Sequence, residues 1–309
     1  MINPSEELVP RNFDNPELEK LLVKFSETIG EIVDLGAQIL YWDANRKVGD
    51  DTDIPILLTL RNFLELLDTI SILIKSSSID PCKIILRSLL ETSMGIEYLL
   101  EKDTENRSMA FLVWHAKNEL KFYRKLKPGL QQHKEFQNSI SKDKIIGNYK
   151  LPNIPILDHA INNLENLLEN ASYKKAVDEY DNLRSKNEKN PPWYRLFGGP
   201  KNIQGLAEYL RLTAFYDVFF RYYSGTVHGT DIIKGKVSGS NESQLEIIQL
   251  RNPKNAQIIT HETVVLANRT IQIFLKKRLP DKLDYYKNWY LKNRDFYTSL
   301  REYPMLKTE

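Results

Sequence analysis

Two consecutive apolar stretches decide the fold of this chain: IPILLTLRNFLELLDTISILIKS at residues 54–76 and CKIILRSLLETSMGIEYLLE at residues 82–101. In each stretch the polar residues recur three or four positions apart, which predicts a helix with one polar stripe and an otherwise apolar surface. The stripes consist of Arg61, Asn62, Glu65 and Asp68 in the first helix and of Arg87, Ser88, Glu91, Thr92 and Gly95 in the second. Asp80 is the expected N-cap of the second helix. Consecutive helices with such wide apolar faces belong at the centre of a helical bundle.

Helical periodicity continues on both sides of these stretches. It predicts helices from Pro16 to about Leu40, from Asp103 to about Leu126, from Leu157 to about Leu183, from Leu206 to about Val227, from Thr260 to about Leu279, and from Asp281 onward. Residues 131–155 lack sustained periodicity and are predicted to be a surface connection. Two short apolar runs around the Asn252-Pro253 turn indicate a small β-hairpin near residues 244–259. The expected fold is all-α, a bundle of about eight helices with at most this one hairpin.

Composition excludes several function classes. The formal net charge is +2, from 43 basic and 41 acidic residues, so nucleic-acid binding would need a local basic patch. The single cysteine, Cys82, excludes an internal disulfide and a cysteine-based zinc site, and its apolar neighbours indicate a small buried residue. His115 and Glu119 have the spacing of two metal ligands, but no third ligand accompanies them. Because Walker A and dinucleotide fingerprints are also absent from the sequence, no metal and no cofactor are predicted.

The sequence also bears on location. The first residues, MINPSEE, contain no basic segment followed by an apolar one, so they lack the pattern of a secretory signal. The longest apolar runs are far shorter than the ~20 residues that a membrane-spanning helix needs. We therefore expect a cytoplasmic protein without a membrane partner.

One later stretch, RYYSGTVHGTD at residues 221–231, contains groups that suit chemistry rather than packing. On a regular α-helix Arg221 and His228 lie on nearly the same side, about 10.5 Å apart along the axis. Arginine matches phosphate oxygens, and histidine transfers protons near neutral pH. The pair therefore indicates metal-free cleavage of RNA, with a structural arginine and a hydrogen-bonded core histidine as the alternative. Gly225 and Gly229 either form a bare strip for close approach by a ligand or backbone, or Gly229 ends the helix.

Ser224 lies four residues before His228 and can hydrogen-bond to it on one helix face. A serine–histidine hydrolase is nevertheless disfavoured, because the stretch lacks a Gly-x-Ser-x-Gly elbow. The third catalytic member would have to be Asp231 or Glu91, and neither is indicated by spacing. By contrast, His261-Glu262 is placed in the first turn of its helix and is interpreted as a helix-terminus feature.

Other residues would form the remaining walls of such a site. Arg87 and Glu91 have i,i+4 spacing on the second apolar helix, where they form either a solvated salt bridge or the polar strip of a pocket. The stretch NPPWYRLFGGP at residues 190–200 cannot be regular helix, because it combines three prolines with a glycine pair. Its Trp193 therefore either packs over the core or covers a site. Tyr223 is a further supporting polar group.

Two short signatures carry a family resemblance. The first contains LRSLLE at residues 86–91 and EYL at residues 97–99, and the second, between Tyr209 and Thr230, contains YS at residues 223–224 and VHG at residues 227–229. Together they resemble a bacterial family known only as a domain of unknown function, number 5677. The resemblance covers roughly residues 50–235. We therefore expect an N-terminal arm and first helix (residues 1–50), a helical signature domain (51–235), and a C-terminal hairpin and helices (236–309) that pack on the same bundle.

The spacing of Arg221 and His228 is also similar to the Arg-x(4–6)-His motif of the HEPN superfamily (higher eukaryotes and prokaryotes nucleotide-binding). This resemblance implies a helical bundle, often a homodimer, with metal-independent ribonuclease activity in toxin–antitoxin, phage-defence or RNA-processing systems. Arg221 would then stabilise phosphate charge and His228 would be the acid–base catalyst. RNA or a nucleotide would be the ligand, and an antitoxin or defence protein the partner. Active nucleases typically have a polar residue after the motif arginine, where this chain has Tyr222.

The leading hypothesis is therefore a HEPN-like endoribonuclease. In one alternative the protein is not catalytic, and Arg87, Glu91 and His228 bind a small ligand or a nucleotide beneath the loop that carries Trp193. In the other alternative the protein is a purely structural partner, and these polar residues satisfy one another in the core.

Overall fold

The computed structural model describes residues 8–10, 15–46, 52–186, 188–227, 229–230, 236–240, 244–302 and 304–306. The chain divides into two compact units. The main unit consists of Met1–Lys102 with Ile203–Glu309, and the inserted unit consists of Asp103–Asn202. The two units are defined by how densely their residues contact one another. The expected segments 1–50, 51–235 and 236–309 were defined from the sequence, and they stay a prediction.

The described part of the chain is mainly helical. The α-helices are α1 (Pro16–Ala44), α2 (Asp53–Lys75), α3 (Ile79–Glu101), α4 (Thr104–Leu126), α5 (Gln131–Ser141), α6 (Leu157–Glu169), α7 (Lys174–Ser185), α8 (Ile203–Tyr209), α9 (Thr213–Phe215), α10 (Ser224–Val227), α11 (Ala256–Arg278) and α12 (Leu283–Glu302). A π-helix covers Tyr216–Tyr222, and 3-10 helices cover Ala171–Tyr173, Trp193–Gly198, Pro253–Asn255 and Pro280–Lys282. None of the helices in the described ranges has the length and apolar character that crossing a lipid bilayer requires.

The centre of the main unit is formed by α1, α2, α3 and α11. Helix α2 packs against both α1 and α3, and α11 packs on α3 and α1. Along α2 the fully buried side chains recur three or four positions apart: Ile56, Leu60, Phe63, Leu67, Ile70 and Ile74. Burying such residues on one face stabilises the bundle by roughly 25 cal/mol per Å² of apolar surface. The central position predicted for residues 54–76 and 82–101 is confirmed.

Small residues let the central helices approach closely. A side chain at Gly36 in α1 would overlap the end of the Leu64 side chain in α2, so any larger residue at that crossing requires Leu64 to move. The hydroxyl groups of Ser26 and Ser71, both buried, lie 2.9 Å apart and satisfy each other across the same interface. Cys82 in α3 is fully buried as expected, and burial raises the pKa of its thiol to about 12.

A buried ion cluster ties three helix ends together in the main unit. The Arg278 guanidinium, at the end of α11, donates to Asp43 near the end of α1, with an Nη2–Oδ2 distance of 2.9 Å. It also donates to Asp53 at the start of α2. The Asp43 side chain is fully buried and also forms an ion pair with Arg46, with an Nε–Oδ1 distance of 2.7 Å.

The helices outnumber the eight or so that were expected, for two local reasons. The helix predicted from Leu157 to Leu183 is two helices, because Asn170 adopts an extended conformation between α6 and α7. The Asn170 side chain accepts a hydrogen bond from the Ser172 N–H and so starts the short 3-10 turn that precedes α7. The surface connection expected at residues 131–155 contains α5.

The hairpin predicted around Asn252-Pro253 is wrong. The Asn252 side chain accepts from the Lys254 N–H and initiates a 3-10 turn, and the chain then enters α11 at Ala256 rather than returning as a strand. The described strands lie earlier, as β1 (Val237–Ser240) paired antiparallel with β2 (Gln244–Ile247). Alternating apolar residues do not distinguish a strand from the start of a buried helix over so short a run.

The inserted unit has its own apolar core. Val113 of α4 packs with Tyr180 and Leu183 of α7 and with Leu196 from the 3-10 helix Trp193–Gly198. These four side chains are all at least nine-tenths buried. The core therefore unites α4, α7 and the proline-rich segment.

Candidate functional site

The helix predicted from Leu206 to Val227 is wrong as a continuous element. Helix α8 ends at Tyr209, and the left-handed backbone of Arg211, with φ of 59°, separates it from α9. The following π-helix stacks its rings in nearly parallel pairs, with Tyr216 and Phe220 centroids 4.9 Å apart. Because the π-helix has an i to i+5 hydrogen-bond pattern, the spacing derived for Arg221 on a regular α-helix does not apply. π-Helical turns occur frequently at functional sites.

Arg221 lies near the end of this π-helix with its side chain more than half exposed. Its guanidinium is 3.2 Å from the Asp217 carboxylate and donates to the Gln204 side-chain oxygen at 3.1 Å. It also lies over the Tyr216 ring, 5.5 Å from the centroid. Arg221 is therefore an accessible cation whose position is fixed by neighbours in α8 and the π-helix.

The predicted partners of Arg221 are only partly described. Ser224 is the half-buried first residue of α10, whereas His228 and Asp231 lie outside the described residues. The Arg221–His228 pair therefore stays a prediction. Gly229 has φ of 66°, and the Thr230 N–H donates to the Gly225 carbonyl oxygen at 3.0 Å. This left-handed glycine with its 6→1 hydrogen bond is a helix C-terminal motif, as the helix-ending interpretation of Gly229 predicts.

Arg87 is the polar group of α3 that meets the π-helix. Its guanidinium carbon lies 3.7 Å from the centroid of the Phe220 ring. Its Nε is 3.8 Å from Glu91, and its Nη1 is buried without a hydrogen-bond partner among the described residues. With 19% of its side chain exposed, Arg87 is not the solvated salt bridge that i,i+4 spacing alone favours. It is a stacked cation with unused donors.

Glu91 completes the polar strip of α3 one turn after Arg87. Partial burial raises the pKa of the Glu91 carboxyl, and the positive charge of Arg87 opposes this shift. Next to it, the Thr92 hydroxyl donates to the Ser88 carbonyl oxygen at 2.9 Å and accepts from Asn62. The strip thus offers a cation, a carboxyl of reduced acidity and neutral hydroxyl groups.

Tyr223 is buried, and its hydroxyl donates to the Glu262 carboxylate at 2.7 Å. Burial and the neighbouring Glu262 charge both raise the pKa of Tyr223 well above its usual range. Burial likewise raises the pKa of Glu262, although the Tyr223 hydrogen bond and the Lys83 charge lower it. The helix-terminus interpretation of Glu262 is wrong, because α11 begins at Ala256 and places Glu262 beyond the first turn. The spacing of 39 residues between Tyr223 and Glu262 gave no signal in the sequence.

A cavity of about 470 Å³ opens in the main unit at the start of α3. Asp80 and Lys83 line it from α3, Thr226 lines it from α10, and Lys236 lines it from the segment before β1. Asp80 forms ion pairs with both lysines, at 2.7 Å in the case of Lys83.

The prediction that Asp80 is the N-cap of this helix is wrong, because α3 begins at Ile79 and Ser78 occupies the cap position. The sequence analysis did not identify Lys83. The signal that could have indicated it is its spacing, because Lys83 lies four residues before Arg87 and on the same face of α3.

Trp193 belongs to the inserted unit, where its ring meets Phe111 edge-on at 5.3 Å. Its side chain is nine-tenths buried, and Leu196 in the same segment is part of the unit's core. Of the two interpretations of residues 190–200, packing over a core is confirmed. The other interpretation, in which Trp193 covers a ligand site at Arg87 and Glu91, stays a prediction.

The candidate metal ligands do not assemble into a site in the described ranges. The His115 Nε2 and the Glu119 carboxylate are 3.7 Å apart, and both side chains are in contact with solvent. Among the residues that the structure describes, no group of three histidine, cysteine, aspartate or glutamate side chains is placed to hold a metal ion.

One of three comparisons with known proteins found a match. A protein-family model described as "Family of unknown function (DUF5677)" matches residues 53–244, more than half of the chain. No curated protein and no solved structure matches. The matched range includes α3, the π-helix and α10, and so contains Arg87, Phe220 and Arg221.

Proposed function

The chain belongs to the family of unknown function DUF5677, and we propose that its family-matched segment binds a small phosphate-bearing ligand where α3 meets the π-helix. The observation that carries this proposal is Arg87. Its guanidinium is stacked on Phe220, while its Nη1 has no described partner. A buried donor left unpaired costs about 1–3 kcal/mol, so such a group calls for a compensating interaction.

Phosphate oxygens provide that interaction. A guanidinium has five N–H donors in a planar fork that matches phosphate geometry, and the nearby Glu91 is too distant to occupy them. The aromatic contact with Phe220 fixes the plane of the fork before the ligand arrives. Preorganisation of this kind reduces the entropy lost on binding.

The body of the ligand would extend from Arg87 into the cavity beside Lys83, which Arg87 itself does not line. Its volume of about 470 Å³ is in the range of small-molecule pockets. Lys83 would add a second cation one helical turn from Arg87, and Thr226 a hydroxyl group. These groups suit a ligand of mononucleotide size that carries both a phosphate and hydroxyls.

Calorimetric titration with nucleoside 5′-monophosphates and with the matching nucleosides tests this function, because each pair differs only in the phosphate. We expect the monophosphates to bind more tightly than the nucleosides, and Arg87→Ala to weaken them by roughly 10-fold or more, as for the loss of a charge-assisted hydrogen bond of about 1.5–3 kcal/mol. Arg61→Ala is the matched control. Arg61 also has a glutamate four residues on, but its side chain is 60% exposed. Failure of every monophosphate to bind, or equal losses of affinity in both variants, would contradict the proposal.

We propose metal-independent RNA cleavage as the second candidate function. It is favoured by one observation, the accessible Arg221 on a π-helix within the family-matched range. In this hypothesis His228 removes the proton from a ribose 2′-hydroxyl, which attacks the adjacent phosphorus, and Arg221 stabilises the charge on the phosphate. Cleavage then leaves a 2′,3′-cyclic phosphate and a 5′-hydroxyl.

The two functions separate in one RNA assay. If the protein cleaves total RNA, the products should carry 2′,3′-cyclic phosphate ends, and both His228→Ala and Arg221→Ala should abolish them. Cleavage that persists in His228→Ala would exclude this mechanism. From the HEPN-like resemblance we also propose a homodimer and an antitoxin or defence partner. Light scattering of the purified chain tests whether it is a dimer.

A further inference from the structure

The inserted unit contains a second cleft, distant in sequence from the Arg87 strip. Its volume is about 610 Å³, and it is lined by side chains from α4, α6 and α7 together with Gln132 of α5 and Asn190. Lys117, Lys121 and Arg124 occupy positions i, i+4 and i+7 of α4 and therefore share one face of that helix. Arg184 adds a fourth cation from α7.

The cations of this cleft are not equally neutralised. Lys117 is paired with Asp181 at 2.9 Å, and Arg124 with Glu165 at 2.8 Å. Lys121, in contrast, donates to the neutral Asn190 side chain at 3.1 Å.

Arg184 forms no ion pair with any described residue. One further carboxylate, Glu169, lines the cleft without a described cationic partner. Lys121 and Arg184 therefore have no carboxylate partner among the described residues, and Glu169 is one carboxylate without a cationic partner. The net charge of these three side chains is positive.

The wall behind these cations is apolar. Tyr180 is 4% exposed, and Val177 and Leu168 line the cleft beside it. The Lys117 ammonium lies 5.8 Å from the Tyr180 ring centroid, which places a charge at the edge of the aromatic surface. An apolar wall with a few convergent polar groups is typical of small-molecule sites.

We propose that this cleft binds an organic anion that has an apolar body and one acidic group. The body packs against Tyr180, Val177 and Leu168, and the acidic group contacts Lys121 and Arg184. Inorganic phosphate lacks the apolar body and binds weakly. A neutral apolar compound lacks the contact with the cations and also binds weakly.

Two fluorescent probes that differ by one group test the proposal. The anion is 8-anilino-1-naphthalenesulfonate, and the neutral probe is N-phenyl-1-naphthylamine, which has the same rings without the sulfonate. The full chain should bind the sulfonate saturably, and Lys121→Ala with Arg184→Ala should raise its dissociation constant at least tenfold. Binding of the neutral probe should be weak and the same in both proteins.

Lys144→Ala with Lys150→Ala is the matched control, because it removes two exposed lysines of the same unit that do not line the cleft. This control should leave sulfonate binding unchanged. The proposal is overturned if the sulfonate does not saturate, if the neutral probe binds equally well, or if the control loses as much affinity as the cleft variant. Arg87→Ala should also bind the sulfonate normally. A loss there would assign the probe to the main unit instead, so the two proposed sites fail independently.

Discussion

Two arginines of the main unit are both largely buried but have different surroundings. Arg278 is 11% exposed, and its guanidinium donates to the carboxylates of Asp43 and Asp53. Arg87 is 19% exposed, yet it lies on an aromatic ring, and the nearest carboxylate, Glu91, is 3.8 Å away. A buried charge with a role in folding acquires opposite charges from the fold itself. The smaller set of described partners around Arg87 is the difference on which the proposed ligand site rests.

The largest expected effect comes from Arg278→Met. This change leaves the fully buried Asp43 carboxylate with Arg46 as its remaining cation, and breaking a buried pair in this way costs about 3–5 kcal/mol. Urea unfolding followed by circular dichroism measures the loss. Arg294→Ala is the control, because Arg294 is 58% exposed and its one ion pair within the described residues is with its neighbour Asp295, so we expect a change within about 0.5 kcal/mol. Similar losses in the two variants would remove the distinction between buried and exposed ion pairs.

A smaller effect is expected from Tyr223→Phe, which removes the hydroxyl that donates to Glu262. A hydrogen bond to a charged group contributes about 1.5–3 kcal/mol, so the loss at pH 7 should lie in this range. The Tyr223 bond lowers the pKa of Glu262, and its removal raises that pKa further. The folded variant then binds a proton that the unfolded chain releases, so its stability falls more steeply as pH rises above 4.5. Unfolding at pH 4 and pH 7 should show the larger difference from wild type at pH 7, whereas a constant difference would contradict the role of the Glu262 charge.

The sequence predicts the centre of the bundle well because helical burial is a local periodic property. Leu60, Phe63 and Leu67 recur at helical spacing and are fully buried as expected. The π-helix was not predictable in this way, since a change from i+4 to i+5 hydrogen bonding leaves the apolar pattern of Tyr216 and Phe219 intact. Its identification requires the backbone itself.

The candidate site was only partly predictable for a different reason. Arg87 and Glu91 are visible in the sequence because they interrupt an apolar helix. Phe220, the ring beneath Arg87, is one of many aromatic residues and is 133 positions away by residue number. Arg278 and Asp43 are separated by 235 positions. Periodicity carries no information about which distant side chains meet, so the partners that distinguish a structural arginine from a binding arginine come from tertiary structure alone.

Arg87→Met is the counterpart of Arg278→Met, because it replaces the other largely buried arginine by the same residue. It removes a cation–π contact of about 0.5–2 kcal/mol but also removes an unpaired buried donor that costs about 1–3 kcal/mol. These contributions oppose each other, so we expect stability within about 1 kcal/mol of wild type and loss of nucleotide binding. The measurements are urea unfolding and the calorimetric titration on one preparation. A loss of several kcal/mol would instead give Arg87 the structural role that Arg278 has.

The smallest effect is expected from Glu91→Gln. Burial raises the pKa of the Glu91 carboxyl above its ordinary value of 4.5, so the folded protein holds this proton more tightly than the unfolded chain. The stabilising contribution of protonated Glu91 is complete below 4.5 and is lost as pH rises through the raised value. Wild type should therefore lose stability relative to Glu91→Gln between pH 4 and pH 7, by a small amount because almost half of the side chain is exposed to solvent. Thermal unfolding across this range measures the difference between the two proteins. A stability difference between the two proteins that stays constant from pH 4 to pH 7 would show that burial at Glu91 has no effect on its titration.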